Sequence, residues 1–397
     1  MRLPLRVCSG DYPFQGGTDL SGFRGSAARR SVGLCVIIGL LGACATGRQE
    51  VPSARETSSL SVERLTEECT GGNARTCEAL GLRYVNGSGV AQDEGRAAAL
   101  FEKSCEGGWA RGCYDLGVSY LRGSGAPRDA GRAAALFEQA CSSGVTDGCN
   151  NLGALYGEGT GVPQDERRAA ALYEKACEGN NALGCVNLGR FYLEGSGVPR
   201  DERRAAALYE KACEGNNALG CYNLGVSYDQ GNGVPEDVHR AAALFEKSCE
   251  GGVAQGCFNF GLHCDKGNGV AQDEGRAFAL FEKACEGGWA QGCTSLGMFY
   301  DVGRRVPRDE RRAAALFEQA CAGGDGHGCF NLATSYVRGR GVAQDGDRAL
   351  ALLAKACEAG SAQGCSVLGE LYERGLGVPQ DSGRAAALKK RAAALGL

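Results

Sequence analysis

Residues 185–213 read CVNLGRFYLEGSGVPRDERRAAALYEKAC, and this stretch decides the fold. Cys185, Leu188, Gly189 and Tyr192 stand at i, i+3, i+4 and i+7, the spacing of one helical face. Gly195-Ser196-Gly197 then supplies the left-handed conformations that end a helix and turn the chain. Val198-Pro199-Arg200-Asp201 follows, with Asp201 placed to cap a second helix whose first turn carries Glu202. In that second helix Ala205, Leu208, Tyr209 and Ala212 keep the same spacing, with alanines small enough for close helix approach. The stretch is a helical hairpin, helix A followed by helix B.

The hairpin recurs. Cys69, Cys105, Cys141, Cys177, Cys213, Cys249, Cys285, Cys321 and Cys357 fall 36 residues apart, and each has a partner eight positions later, at Cys77, Cys113, Cys149, Cys185, Cys221, Cys257, Cys293, Cys329 and Cys365. Eighteen of the 22 cysteines obey this rule, so the architecture is set by a 36-residue unit that buries its apolar face only against its neighbours. The short turn from Cys213, at the end of helix B, to Cys221, at the start of the next helix A, favours pairing eight residues on over pairing 28 back. Each closed loop would stabilise by roughly 2 to 3 kcal/mol in the chain-entropy account. Reduced core cysteines and zinc sites are the competing readings, but two ligands per site without partnering histidines make poor zinc cages. The last unit has Ala393 where the register asks for cysteine and Lys389 in the aromatic slot of Tyr209, as a polar capping repeat would.

Paired cysteines persist as disulfides in an oxidising compartment, so export is expected. Arg29 and Arg30 precede an apolar run, residues 31–43, too short to span a bilayer permanently. It closes with Leu41-Gly42-Ala43-Cys44, which resembles a bacterial lipobox and makes Cys44 the expected lipidation site; a plain secretory signal is the alternative. The expected organisation is a signal segment over 1–44, a polar flexible tether over 45–62 and the repeat array over 63–397. A net charge of -4 with both signs interspersed offers no basic stripe for nucleic acid, and membrane contact would come only through the lipid.

Asn-Leu-Gly-x-x-Tyr-x-x-Gly-x-Gly-Val-x-x-Asp, followed by Ala-rich Leu-Tyr/Phe-Glu-Lys-Ala-Cys over a 36-residue period, resembles the Sel1-like repeat, a relative of the tetratricopeptide repeat. The added cysteine pair resembles the Helicobacter cysteine-rich proteins of that family. The resemblance implies an all-α, right-handed α/α superhelical solenoid of nine repeats with helix A on the concave side.

Comparing the copies separates packing positions from variable ones. On the helix A face opposite the packing stripe lie the levels of Asn187, Arg190, Phe191 and Glu194. The first of these reads Asn151, Asn187, Asn223, Asn259 and Asn331 in five copies, with Asp115 in a sixth. Amides present donor and acceptor together, so such a ladder can grip an extended peptide backbone; alternatively each Asn bonds the adjacent repeat and sets the stacking. The Arg190 and Phe191 levels mix apolar and polar side chains, as partner-binding surfaces do. Arg304-Arg305, in place of Ser196-Gly197, and the glycine-rich turn between Cys321 and Cys329 stand out as a specificity feature and a candidate hinge.

Catalytic signatures are scarce. His239, His263 and His327 lie in three different units without metal-ligand spacing, and Cys264 fills a slot that is Tyr in the other copies. No cofactor, metal site or catalytic residue is expected. The Helicobacter relatives are linked to penicillin binding and weak β-lactam hydrolysis, which makes a β-lactamase-like hydrolase the alternative function by resemblance, although no Ser-x-x-Lys, Ser-Asp-Asn or Lys-Thr-Gly set is present. The favoured reading is a monomeric binding scaffold, in the periplasm, on the outer membrane as a lipoprotein, or secreted, for a protein, peptide or peptidoglycan fragment.

Overall fold

A computed structural model describes residues 60–396. The segment holding Arg29, Cys44 and most of the expected tether lies outside the described residues. Among the described residues the fold is all-α, with 19 helices and no strand. α1 (Val62–Thr70) is a lone helix B that opens the array. The nine helices A are α2 (Ala74–Asn86), α4 (Ala110–Arg122), α6 (Thr146–Glu158), α8 (Ala182–Glu194), α10 (Ala218–Gln230), α12 (Ala254–Lys266), α14 (Ala290–Val302), α16 (Gly326–Arg338) and α18 (Ala362–Arg374). The helices B that follow them are α3 (Glu94–Glu106), α5 (Ala130–Ser142), α7 (Glu166–Glu178), α9 (Glu202–Glu214), α11 (Val238–Glu250), α13 (Glu274–Glu286), α15 (Glu310–Ala322), α17 (Gly346–Glu358) and α19 (Ser382–Ala394). None of these helices is long and apolar enough to cross a membrane.

The expected punctuation is present. Asp201 accepts a hydrogen bond from the backbone N–H of Arg204 and so caps α9, and Gly195 ends α8 in the left-handed region at φ 77°. The helices run slightly longer than the cysteines indicated, so Cys213 and Cys221 sit inside α9 and α10 and only Gly215, Asn216 and Asn217 join them. In the turn after helix A a second glycine is required by close approach: a Cβ on Gly233, at φ +75°, would stand 2.1 Å from the carbonyl oxygen of Glu202 in the previous repeat.

Nine disulfides join cysteines eight apart, from Cys69–Cys77 to Cys357–Cys365, with Cα atoms 4.4–4.7 Å apart. Each ties helix B of one repeat to helix A of the next. They are also core. Cys105–Cys113 packs on Ala140, Cys141–Cys149 on Ala176, and Cys357–Cys365 on Ala392 of the capping helix. The array forms two compact units that divide in sequence between Asp237 and Val238. Within each unit helix A packs on the helix B before it and the helix B after it, and neighbouring helices A touch one another as well.

Candidate functional site

Helix A is held from two sides, which leaves one narrow face to solvent. That face is spaced four, three and four residues apart, at the levels of Leu183, Asn187, Arg190 and Glu194, and apart from Ser295 every residue at these levels is half-buried or exposed. Three of the four levels expected from the sequence are therefore on it. The fourth is not. Phe191 and Phe299 are each 3% exposed, and Ser119, Ser227, His263 and Leu371 at the same level are buried too. A residue four positions after Asn187 is rotated about 40° around the helix, far enough to turn into the preceding helix B. Phe191 meets Tyr173 of α7 edge-on at 5.2 Å, and Phe299 meets Phe281 of α13 at 6.0 Å. The Leu183 level, absent from the sequence expectation, replaces it on the exposed face.

The asparagine level runs through both units, with Asn151, Asn187 and Asn223 in the first and Asn259 and Asn331 in the second, all half-buried. Its members are not equivalent. Asn187 donates from Nδ2 to Oδ1 of Asn150 in the preceding repeat at 2.9 Å, and the Asn150 amide donates to Asn151 at 3.3 Å. Asn150 is itself buried, so this pair stitches α6 to α8. In the first unit at least part of the ladder serves stacking.

Two repeats earlier the same juncture carries acids. Burial pushes the Asp115 carboxyl up to about 8, with Arg111 opposing and Glu78 of the preceding repeat adding to the rise; Glu78 is raised as well, burial again leading. Oδ2 of Asp115 is buried with no hydrogen-bond partner. Because the folded state holds a proton that the unfolded chain releases near its ordinary value of 3.8, stability falls as pH rises from there to about 8. Asp115→Asn, which installs the residue found at this level in five other repeats, should remove that slope. Urea unfolding should show little change at pH 4 and a gain of about 1–3 kcal/mol at pH 8.5. Parallel pH profiles for parent and variant would contradict a folded state that keeps Asp115 protonated.

A lock that sequence reasoning missed explains the Tyr slot at the end of helix A. Arg204 stacks over the ring of Tyr192 at 5.4 Å and donates to its hydroxyl at 3.0 Å, while its backbone N–H is held by the Asp201 cap. The same contacts join Arg132 to Tyr120, Arg348 to Tyr336 and Arg384 to Tyr372. The signal was legible as a Tyr and an Arg at fixed separation in every such copy. Where Cys264 replaces the Tyr, Arg276 moves onto the Phe260 ring and pairs with Glu246.

Two local features resolve into packing. Arg304 reaches the preceding repeat, bonding the buried Asp265 and pairing with Glu274 at 2.8 Å over the Phe299 ring at 4.7 Å, so it is an inter-repeat tie rather than a loose surface charge. Arg305 takes the glycine position at φ 64°. The glycine-rich turn is tied to its neighbours. Asp325 caps α16 through the N–H groups of His327 and Gly328 and accepts from Thr294, and a Cβ on Gly326 would lie 3.0 Å from Ala356 and Ala359 carbonyls.

The hydrolase alternative gains no support. Cys264 is a free buried thiol whose pKa is raised by burial, the wrong direction for a nucleophile. His263 is buried with Nδ1 donating to the Asn268 carbonyl at 2.8 Å, and no group of acids, His and Cys suited to a metal occurs among the described residues.

Comparison with known proteins places this architecture. The Sel1 repeat model matches residues 74–109, 110–145, 146–181, 182–217, 218–253, 254–289, 290–325, 326–361 and 362–397. The chain is similar to c5321, a protective antigen of uropathogenic Escherichia coli with an SLR fold, at 26% identity and TM-score 0.54, over 84% of this chain and 87% of that one. A Sel1 repeat protein of Oxalobacter formigenes matches at 24% identity and TM-score 0.57, over 62% of this chain and 96% of its own. Cysteine rich protein B of Helicobacter pylori is 33% identical over 33% of this chain and 93% of its own, with TM-score 0.28. No curated protein matches.

Proposed function

Because the chain belongs to the Sel1 repeat family, whose scaffold suits protein–protein interaction, we propose that it is an exported binding scaffold holding an extended peptide segment along the exposed face of helix A. The observation that carries this reading is the row of half-buried amides flanked by apolar side chains on that face. Amides satisfy a peptide backbone whatever its side chains, and the neighbouring Leu262 and Met298 give its residues apolar contact. Nine buried disulfides fit an oxidising compartment, extracellular or periplasmic, where such a scaffold would work. In this reading the lipid at Cys44 supplies the anchor. Cys44→Ala should then move the protein from the membrane to the soluble fraction; unchanged fractionation would leave plain secretion.

The test of the face uses peptides selected on the parent from a random-sequence library. Asn259→Ala with Asn331→Ala should weaken their binding about 5- to 150-fold, two hydrogen bonds of about 0.5–1.5 kcal/mol each, with the melting temperature nearly unchanged. Asn187→Ala should instead cost stability, since it strands the buried Asn150 carbonyl. Full binding by the double variant would reject the peptide-gripping role.

A further inference from the structure

The exposed face of helix A differs in charge between the two units, and we infer that the second unit selects an extended peptide whose acidic side chains stand three residues apart. This rests on the peptide-binding reading above and narrows its ligand class.

In the first unit the four levels of the face carry four arginines and four acidic residues, and two of the arginines are ion-paired within the face: Arg111 with Asp147 at 2.7 Å and Arg190 with Glu194 at 2.9 Å. In the second unit the last level reads Lys266, Val302, Arg338 and Arg374 on successive repeats, and Glu370 is the one carboxylate at the four levels. Carboxylates on the adjoining level are engaged elsewhere. Asp265 holds Arg304, Asp301 lies 3.7 Å from Arg340, and Glu373 accepts from Lys389 at 2.8 Å. Arg338 and Arg374 are exposed and make no ion pair among the described residues.

Neither packing nor the helix dipole dictates these cations, because the same level is Glu158 and Glu194 in the first unit. The charges of Arg338 and Arg374 are thus free to serve a ligand. Helices pack about 8–10 Å apart and an extended chain advances about 3.3 Å per residue, so equivalent positions on neighbouring repeats address every third ligand residue. Val302, 66% exposed between the cations of α12 and α16, calls for an apolar residue at its place. The implied ligand is an apolar residue followed at three-residue intervals by two acidic ones, in one chain direction or the other.

Selection of a random-sequence peptide library on the oxidised full-length protein decides the matter, with the double variant Arg338→Ala/Arg374→Ala selected in parallel. Enrichment of acids three residues apart on the parent, weakened about 2- to 30-fold in the variant and falling with added salt, is the expected result. Enriched peptides without that acidic spacing, bound equally by parent and variant, would overturn the inference and leave the peptide-binding reading standing. No enrichment at all would overturn both. Both arginines are exposed, so an unchanged melting temperature confirms that the variant folds.

Discussion

Reducing all nine disulfides should unfold the protein at room temperature, seen as loss of far-UV helical signal on adding a thiol reductant at neutral pH. The reason is the size of the parts. Apart from the nine-residue α1, each helix has 13 residues, a length marginal for an isolated helix in water, and the helices B bury mostly alanine toward their neighbours. Each disulfide closes a short loop, which contributes roughly 2 to 3 kcal/mol by the chain-entropy account, and it also fills the core against the alanine of the next helix B. Replacing both Cys213 and Cys221 by Ser, a single staple within the first unit, should cost at least that amount, because two hydroxyls would also be buried where sulfur now packs. Urea unfolding of the oxidised double variant reads this. A reduced parent that keeps its helical signal and melts within a few degrees of the oxidised form would show that packing, not stapling, holds the array.

The features legible in the sequence are those fixed within one hairpin. The Asp201 cap, the Gly195 terminus and the Cys213–Cys221 closure depend on residues within a turn or two of one another, so residue type and spacing determine them. What could not be read depends on a second neighbour. Helix A packs on the preceding helix B as well as on its own, and nothing in the periodicity of α8 says that Phe191 turns toward Tyr173 while Asn187 stays at the surface. The same limit hid the Arg304 tie, whose partners Asp265 and Glu274 lie in the previous repeat. At the candidate site, the amide row was legible because five copies share it. The split of its roles was not, because the Asn187 partner, Asn150, stands at a position that is Glu, Tyr, Val, Phe, Thr or Ser in the other copies.

Phe191→Ala should therefore act on the fold and not on the surface. Its ring is 3% exposed, rests edge-on against Tyr173 and lies under the guanidinium of Arg190, so truncation leaves a cavity in a well-packed interior. The expected loss is about 3–5 kcal/mol, read by urea unfolding of the oxidised protein. Arg190→Ala, one residue earlier and exposed, loses only a surface ion pair with Glu194 and the stacking over the Phe191 ring and should change stability by about 1 kcal/mol or less. The contrast separates two geometries that the sequence alone leaves equal. If Phe191 lined the binding face, its removal would weaken peptide binding while leaving the unfolding midpoint in place, and Arg190 and Phe191 would behave alike. A large stability loss at Phe191 beside a near-silent Arg190 instead requires helix A to be clamped between two helices B. That clamp leaves the levels of Leu183, Asn187, Arg190 and Glu194 as the exposed face of helix A in the first unit.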